Sequence, residues 1–173
     1  MVRNGLMIWI LLIMSGACYT QDRITVDVNG WINYRLATGA LQFDPGPNGA
    51  GLAVGMAYPV KGSISGKSSV EFGAAGTGNF MAFTVGLQNE SRSPRNRLVG
   101  RTGAGVLQGI MLYRPAPLYV WGLDMTSMIG YELKNRSVPG MFAGIRYYGI
   151  PGYAKISEVN RFLDLRIGMI YLF

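Results

Sequence analysis

The sequence predicts an all-β chain: a single antiparallel, up-and-down transmembrane β-barrel of about eight strands, preceded by a cleaved export signal. Three observations predict it. The last stretch, Arg161 to Phe173, sets Leu163, Leu165, Ile167, Met169, Tyr171 and Phe173 on one side of an extended chain, with Asp164, Arg166, Gly168, Ile170 and Leu172 on the other. A period of two marks a strand, because successive side chains point to opposite sides. Composition agrees: there are 25 glycines, and charged residues make up only 14% against a usual quarter. Many short strands tolerate glycine, which helices avoid. The same alternation recurs along the whole chain between turn-rich segments.

The N-terminus supplies the export signal. Arg3 gives the positive start, Leu6 to Met14 the apolar core, and Ser15-Gly16-Ala17 a small-residue cleavage site. The apolar run is too short to cross a bilayer as a helix, which takes about 20 residues. Residues 1–20 are therefore assigned to the signal peptide and residues 21–173 to the barrel. Cys18 admits a second reading, acylation after cleavage, but Ser15 stands where a lipobox carries leucine. Ordinary cleavage near Ala17 or Thr20 is favoured. A lone cysteine makes no intrachain disulfide.

The strands follow in order. Ile24 to Leu36 alternates Ile24, Val26, Val28, Ile32 and Tyr34 against Asp27, Asn29, Trp31, Asn33 and Arg35, the pattern of a wall between lipid and a polar interior. Turn chemistry around D-P-G-P-N-G assigns Ala37 to Ala50 to a loop. Gly51 to Lys61 is the second strand, its inward face small, as a narrow lumen requires. Lys61 to Ser68 reads as a turn, Val70 to Ala75 as the third strand, and Gly76-Thr77-Gly78 as a turn. Phe80 to Gln88 is the fourth strand, and Asn89 to Arg101 a loop rich in arginine. Ala104 to Tyr113 is the fifth, its phase blurred because Leu107, Ile110, Met111 and Leu112 fall on both faces. Arg114 to Pro117 connects it to Leu118–Leu133, the sixth. Asn135 to Gly140 turns, Met141 to Tyr148 is the seventh, and Ile150 to Asn160 is a loop before the closing strand.

An even strand count puts both termini on the periplasmic side. Aromatics then cluster at two levels, with Tyr34, Phe83, Tyr113, Tyr119, Trp121 and Tyr147 toward the outside and Tyr58, Tyr131, Tyr171 and Phe173 toward the inside. A lipid interface selects such rings. One feature conflicts with this layout: Asn89 to Arg101 becomes a long periplasmic connection, where turns should be short.

The signal peptide, the eight alternating segments and the terminal pattern from Leu163 to Phe173 resemble the small outer-membrane barrels of the OmpX/OmpA type, in particular the PorT-like barrel proteins of Bacteroidota. Phe173 with Tyr171 two residues before it looks like the signal read by the barrel-assembly machinery. The resemblance implies a bacterial outer-membrane location, contact with lipid and lipopolysaccharide, and no particular activity.

The sequence has no histidine. Histidine is the side chain best placed for proton transfer near neutral pH, and the enzymes among such barrels resemble one another in relying on it. A Ser-His-Asp or Cys-His site is excluded, and the carboxylates lack metal-ligand spacing. The chain is expected to be no enzyme and to need no cofactor or metal. Its basic balance, 16 Lys and Arg against 9 Asp and Glu, comes without a nucleic-acid-binding motif, so no nucleic-acid partner is expected.

Two charge sets remain. Asp27, Arg35, Glu71, Asp124, Glu132, Arg146, Asp164 and Arg166 fall in the inward phase. They read either as a selectivity lining or as a salt-bridged plug, and an eight-stranded interior favours the plug. Arg92, Arg95, Arg97 and Arg101 read either as a solvated turn or as an anion or partner contact. Three roles are consistent with this: a structural or accessory barrel, alone or as a subunit of a larger envelope complex; a barrel binding a surface ligand or host through external loops; and a secreted soluble carrier.

Overall fold

The computed structural model describes residues 24–39, 42–75, 78–93, 95–112, 116–152 and 160–173. The assigned signal peptide with Cys18, the Gly76-Thr77 part of one turn, Tyr113, Arg114 and Pro115, and residues 153–159 of the last loop lie outside them. Eight strands follow one another: β1 (Thr25–Thr38), β2 (Gln42–Lys61), β3 (Ile64–Ala75), β4 (Gly78–Ser93), β5 (Leu98–Leu112), β6 (Leu118–Tyr131), β7 (Val138–Gly149) and β8 (Arg161–Leu172). Each pairs antiparallel with the next, and β8 returns to β1 from Asp27↔Leu172 to Thr38↔Phe162, closing the barrel.

The register fixes the barrel's girth. Starting at Asn89 on β4 and stepping across paired residues leads through Thr102, Ser127, Ala143, Ile167, Ile32, Ala50 and Ala74. The path re-enters β4 at Asn79, ten residues from where it left. A stagger of this size over eight strands demands strands tilted about 35–45° to the axis, and leaves an interior that side chains can fill.

The wall is apolar outside and polar within. Ile32, Leu52, Val54, Phe72, Val106, Leu123, Met125, Ile145 and Met169 are all exposed on the outer face, while Glu71, Asp124, Arg146, Asp164 and Arg166 are buried inside. A water-soluble barrel would show the reverse polarity, so the distribution is that of a wall set in lipid. The blurred phase of β5 resolves accordingly: Leu107 and Met111 are buried in the interior, while Leu112 is exposed outside. The interior is tight enough to require small residues beneath its aromatics. A Cβ at Gly51 would lie 2.4 Å from the Trp31 ring, and one at Gly168 would lie 2.6 Å from the Phe142 ring.

Several strands are longer than their side-chain patterns predict. β2 begins at Gln42, so most of the predicted loop over Ala37 to Ala50 is strand. A register shift beside Asn48 accommodates Pro47, opposite Tyr34, without a full ladder. β3 begins at Ile64, which converts the predicted turn over Lys61 to Ser68 into a hairpin end. β4 and β5 run to Ser93 and from Leu98, so the predicted loop Asn89 to Arg101 reduces to residues 94–97. The supposed long periplasmic connection is therefore a short turn. Backbone pairing extends past the point where the outer face stops being apolar, which is why the hydrophobic pattern ends before the strand. Phe83 also lies within β4, opposite Val70 and Gln108, rather than at a strand end.

Val106 faces outward between Val85 and Leu123 near the middle of the wall, whereas Thr102 lies on the same face closer to the end that carries the termini. Val106→Arg is expected to destabilise the folded barrel by about 2–4 kcal/mol and Thr102→Arg by about 0–1 kcal/mol. Reversible urea unfolding in lipid vesicles measures both, and equal costs would contradict a lipid-facing wall.

Candidate functional site: the charged interior

Four side chains from four strands meet at the centre of the barrel. Glu71 comes from β3, Asp124 from β6, Arg146 from β7 and Arg166 from β8, and each is almost wholly buried. Arg146 grips Glu71 with both terminal nitrogens, one of them donating to Oε2 at 2.9 Å, and its Nε donates to Asp124 Oδ1 at 3.1 Å. Arg166 donates to Asp124 Oδ1 and Glu71 Oε2, both at 3.1 Å. Each guanidinium thus touches both carboxylates, making a closed ring with no net charge that ties β3 to the opposite wall. Arg166 also lies 4.5 Å from the centre of the Trp31 ring, where a cation is attracted to the aromatic face.

The ring continues outward into a second cluster. The register sets Asp124 beside Arg146, Arg146 beside Asp164 and Asp164 beside Arg35, so charges alternate in sign across β6, β7, β8 and β1. Asp164 is fully buried. It accepts hydrogen bonds from Arg35, from Asn48 at 3.0 Å and from the Tyr148 hydroxyl at 3.1 Å. Arg35 also donates to the Tyr148 hydroxyl at 3.0 Å and stacks over Phe162.

Apolar residues cap both sides. Leu107, Met111, Val120, Tyr148, Ile150 and Phe162 pack together toward one end, and Trp31, Val99, Met128, Val138, Phe142 and Leu172 toward the end that holds the termini. A polar cavity of about 70 Å³ lies on the termini side of the ring, among Asp27, Lys67, Gln88, Arg101, Asp124 and Arg166. That is room for a few water molecules. A smaller one, about 20 Å³, lies on the other side among Asn33, Phe80, Leu107 and Tyr148.

Six of the eight predicted inward charges, Arg35, Glu71, Asp124, Arg146, Asp164 and Arg166, join these two clusters. Asp27 lines the cavity instead, accepting a hydrogen bond from Asn29 at 3.2 Å. Glu132 does not point into the plug. It lies just past the end of β6 and receives Arg92 at 3.0 Å, forming a rim cluster in which Glu90 receives Arg92 at 2.6 Å and also Arg101. Of the predicted anion-binding arginines, Arg101 is buried against Glu90 and faces inward, whereas Arg95 and Arg97 stay exposed in the turn. Inward-facing pairing in β5 takes Arg101 out of the surface set.

The residues missed from sequence are Lys67, which donates to Thr126 at 3.1 Å, together with Glu90 and Asn48. Lys67 and Glu90 fall in segments whose turn residues mask their strand phase, and Asn48 reaches inward because of the register shift. At the C-terminus, the Tyr171 hydroxyl donates to Ser137 at 2.8 Å and Phe173 packs on the Tyr171 ring, with centroids 4.8 Å apart. Among the described residues no group of three or more metal-ligating side chains converges.

No family model matches the sequence, and no curated protein sequence matches it. Solved structures do share the fold. Neisserial surface protein A superposes with a TM-score of 0.57 at 11% identity, covering 86% of this chain and 95% of that one. The N-terminal β-barrel domain of Pseudomonas aeruginosa OprF superposes with a TM-score of 0.53 at 8% identity, covering 86% and 97%. Nearly the whole of each neighbour aligns with this chain, so the shared property is the closed barrel architecture.

Removing one member of a buried ion-pair network strands its partners without compensation. Arg146→Leu is expected to cost about 3–5 kcal/mol, and Arg166→Leu less, since it makes fewer hydrogen bonds to the ring. The gel temperature at which the compact folded band is lost, together with urea unfolding, measures both. An unchanged unfolding transition for Arg146→Leu would remove the plug from the stability of the barrel.

Proposed function

We propose that the protein is an integral outer-membrane barrel with a non-catalytic, structural or accessory role and no open pore. The single observation that carries this is the neutral ring of Glu71, Asp124, Arg146 and Arg166 across the lumen, with an apolar cluster on either side of it. The apolar outer face supports the membrane setting, and likeness to eight-stranded barrels supports the architecture. The position of Tyr171 and Phe173 on the closing strand supports recognition by the barrel-assembly machinery, and the outer end of the wall would face lipopolysaccharide. Membership of a larger envelope complex is consistent with a barrel in which the central inward charges are engaged with one another.

Two measurements test the reading. The protein should stay with membranes after alkaline carbonate washing, and the purified barrel in a planar bilayer should give no stable channel current. Release by carbonate would refute the membrane assignment. A long-lived conductance of the kind wide porins show would refute the sealed lumen.

A further inference from the structure

Two adjacent basic turns lie at the end of the barrel that holds both termini. The β4–β5 turn carries Arg95-Asn96-Arg97, and the neighbouring β6–β7 turn carries Lys134-Asn135-Arg136, the same basic–Asn–Arg order twice. The turns touch, since the Glu132 amide donates to the Arg97 carbonyl at 2.8 Å. In both, the arginine after the asparagine adopts a left-handed backbone, with φ 53° at Arg97 and 67° at Arg136. These are the two described non-glycine residues with positive φ. Glycine or asparagine would serve such a position with less strain, and in each turn an asparagine stands one residue away from it. Strained backbone of this kind gathers where a side chain has a task.

The four basic side chains are exposed, and among the described residues none forms an ion pair. The nearby carboxylates do not cancel them, because Glu90 and Glu132 are already held by Arg92 and Arg101. Directly beside the basic tips β5 and the end of β6 present apolar side chains outward, Leu98 40% exposed, Tyr131 47% and Leu133 39%, with Ser93 and Ser91 of β4 opposite Leu98 and Gly100. Leu98 and Tyr131 are register partners, and the next outward pair, Gly100 and Ile129, has only a glycine on one side. Cations above exposed apolar side chains of the wall match a molecule with an anionic head and a hydrocarbon tail, whereas a soluble polyanion would gain nothing from those side chains.

We propose that this rim binds the phosphate headgroups of anionic phospholipids in the inner leaflet, through Arg95, Arg97, Lys134 and Arg136, with the acyl chain against Leu98 and Tyr131. The inference rests on the membrane reading above. Basic residues at a bilayer surface attract anionic lipid, and guanidinium groups suit phosphate geometry.

Native mass spectrometry of the folded full-length barrel in detergent tests it, with phosphatidylglycerol and phosphatidylcholine titrated in parallel. The wild type should retain phosphatidylglycerol over phosphatidylcholine by at least about five-fold, roughly the contribution of one basic residue at a membrane surface. Combining Arg97→Gly with Arg136→Gly removes two charges while easing the backbone, so the compact gel band should persist as the preference collapses toward equal retention, two such residues together amounting to about thirty-fold. Equal retention of the two lipids by the wild type would overturn the proposal without reference to any variant. Displacement of phosphatidylglycerol by an equal concentration of glycerol phosphate would overturn it in favour of a soluble anion. Failure of the barrel to enter lipid at all would instead refute the membrane reading on which it stands.

Discussion

Closure is the constraint from which the rest of this structure follows. A wall that is apolar on its outside offers its backbone no water there, so every amide and carbonyl must find a partner in a neighbouring strand. The last strand meets the first and leaves no edge. Closing eight strands with a ten-residue stagger also sets the radius. The radius in turn decides that the inward face can hold only a packed column of side chains, with glycines where Trp31 and Phe142 lie across it.

Within that column the charges are arranged to cancel. Placing four ionised groups away from solvent is costly, and their mutual attraction offsets the cost only with close pairing; among the described residues the buried Nε of Arg166 finds no hydrogen-bond partner. Here each arginine engages both carboxylates, and the neighbouring Arg35–Asp164–Tyr148–Asn48 cluster leaves Asp164 with three donors. The alternation of sign across β6, β7, β8 and β1 exists in one register. A slip of one residue would turn these charges toward lipid and the aliphatic wall residues inward, so the plug contributes to pairing specificity as well as to sealing.

The candidate site was partly legible. Six inward charges could be assigned because a period of two assigns each residue of a regular strand to one face, and Arg146 and Arg166 lie in regular strands. The errors share a cause. Lys67 sits in a glycine- and serine-rich segment, while Arg101 and Glu132 lie close to glycines, prolines or turns. Those residue types favour turns locally, but pairing between adjacent strands continues through them once the barrel holds the neighbours in place. Asn48 was hidden for another reason: its inward direction comes from a register shift that no side-chain period reveals.

The sequence by itself determined, along the regular strands, which residues face lipid and which face the lumen, because alternation is a local property of an extended chain. It also determined the strand order, because short turn-rich connections join neighbours. Only the tertiary structure decided where each strand ends, which inward charges become partners and which basic residues stay free at the rim. Those outcomes depend on stagger. Glu71 meets Arg146 and Arg166 across the lumen, and the Glu132 amide meets the Arg97 carbonyl between two turns, at separations that close only when eight strands are tilted and joined into one barrel.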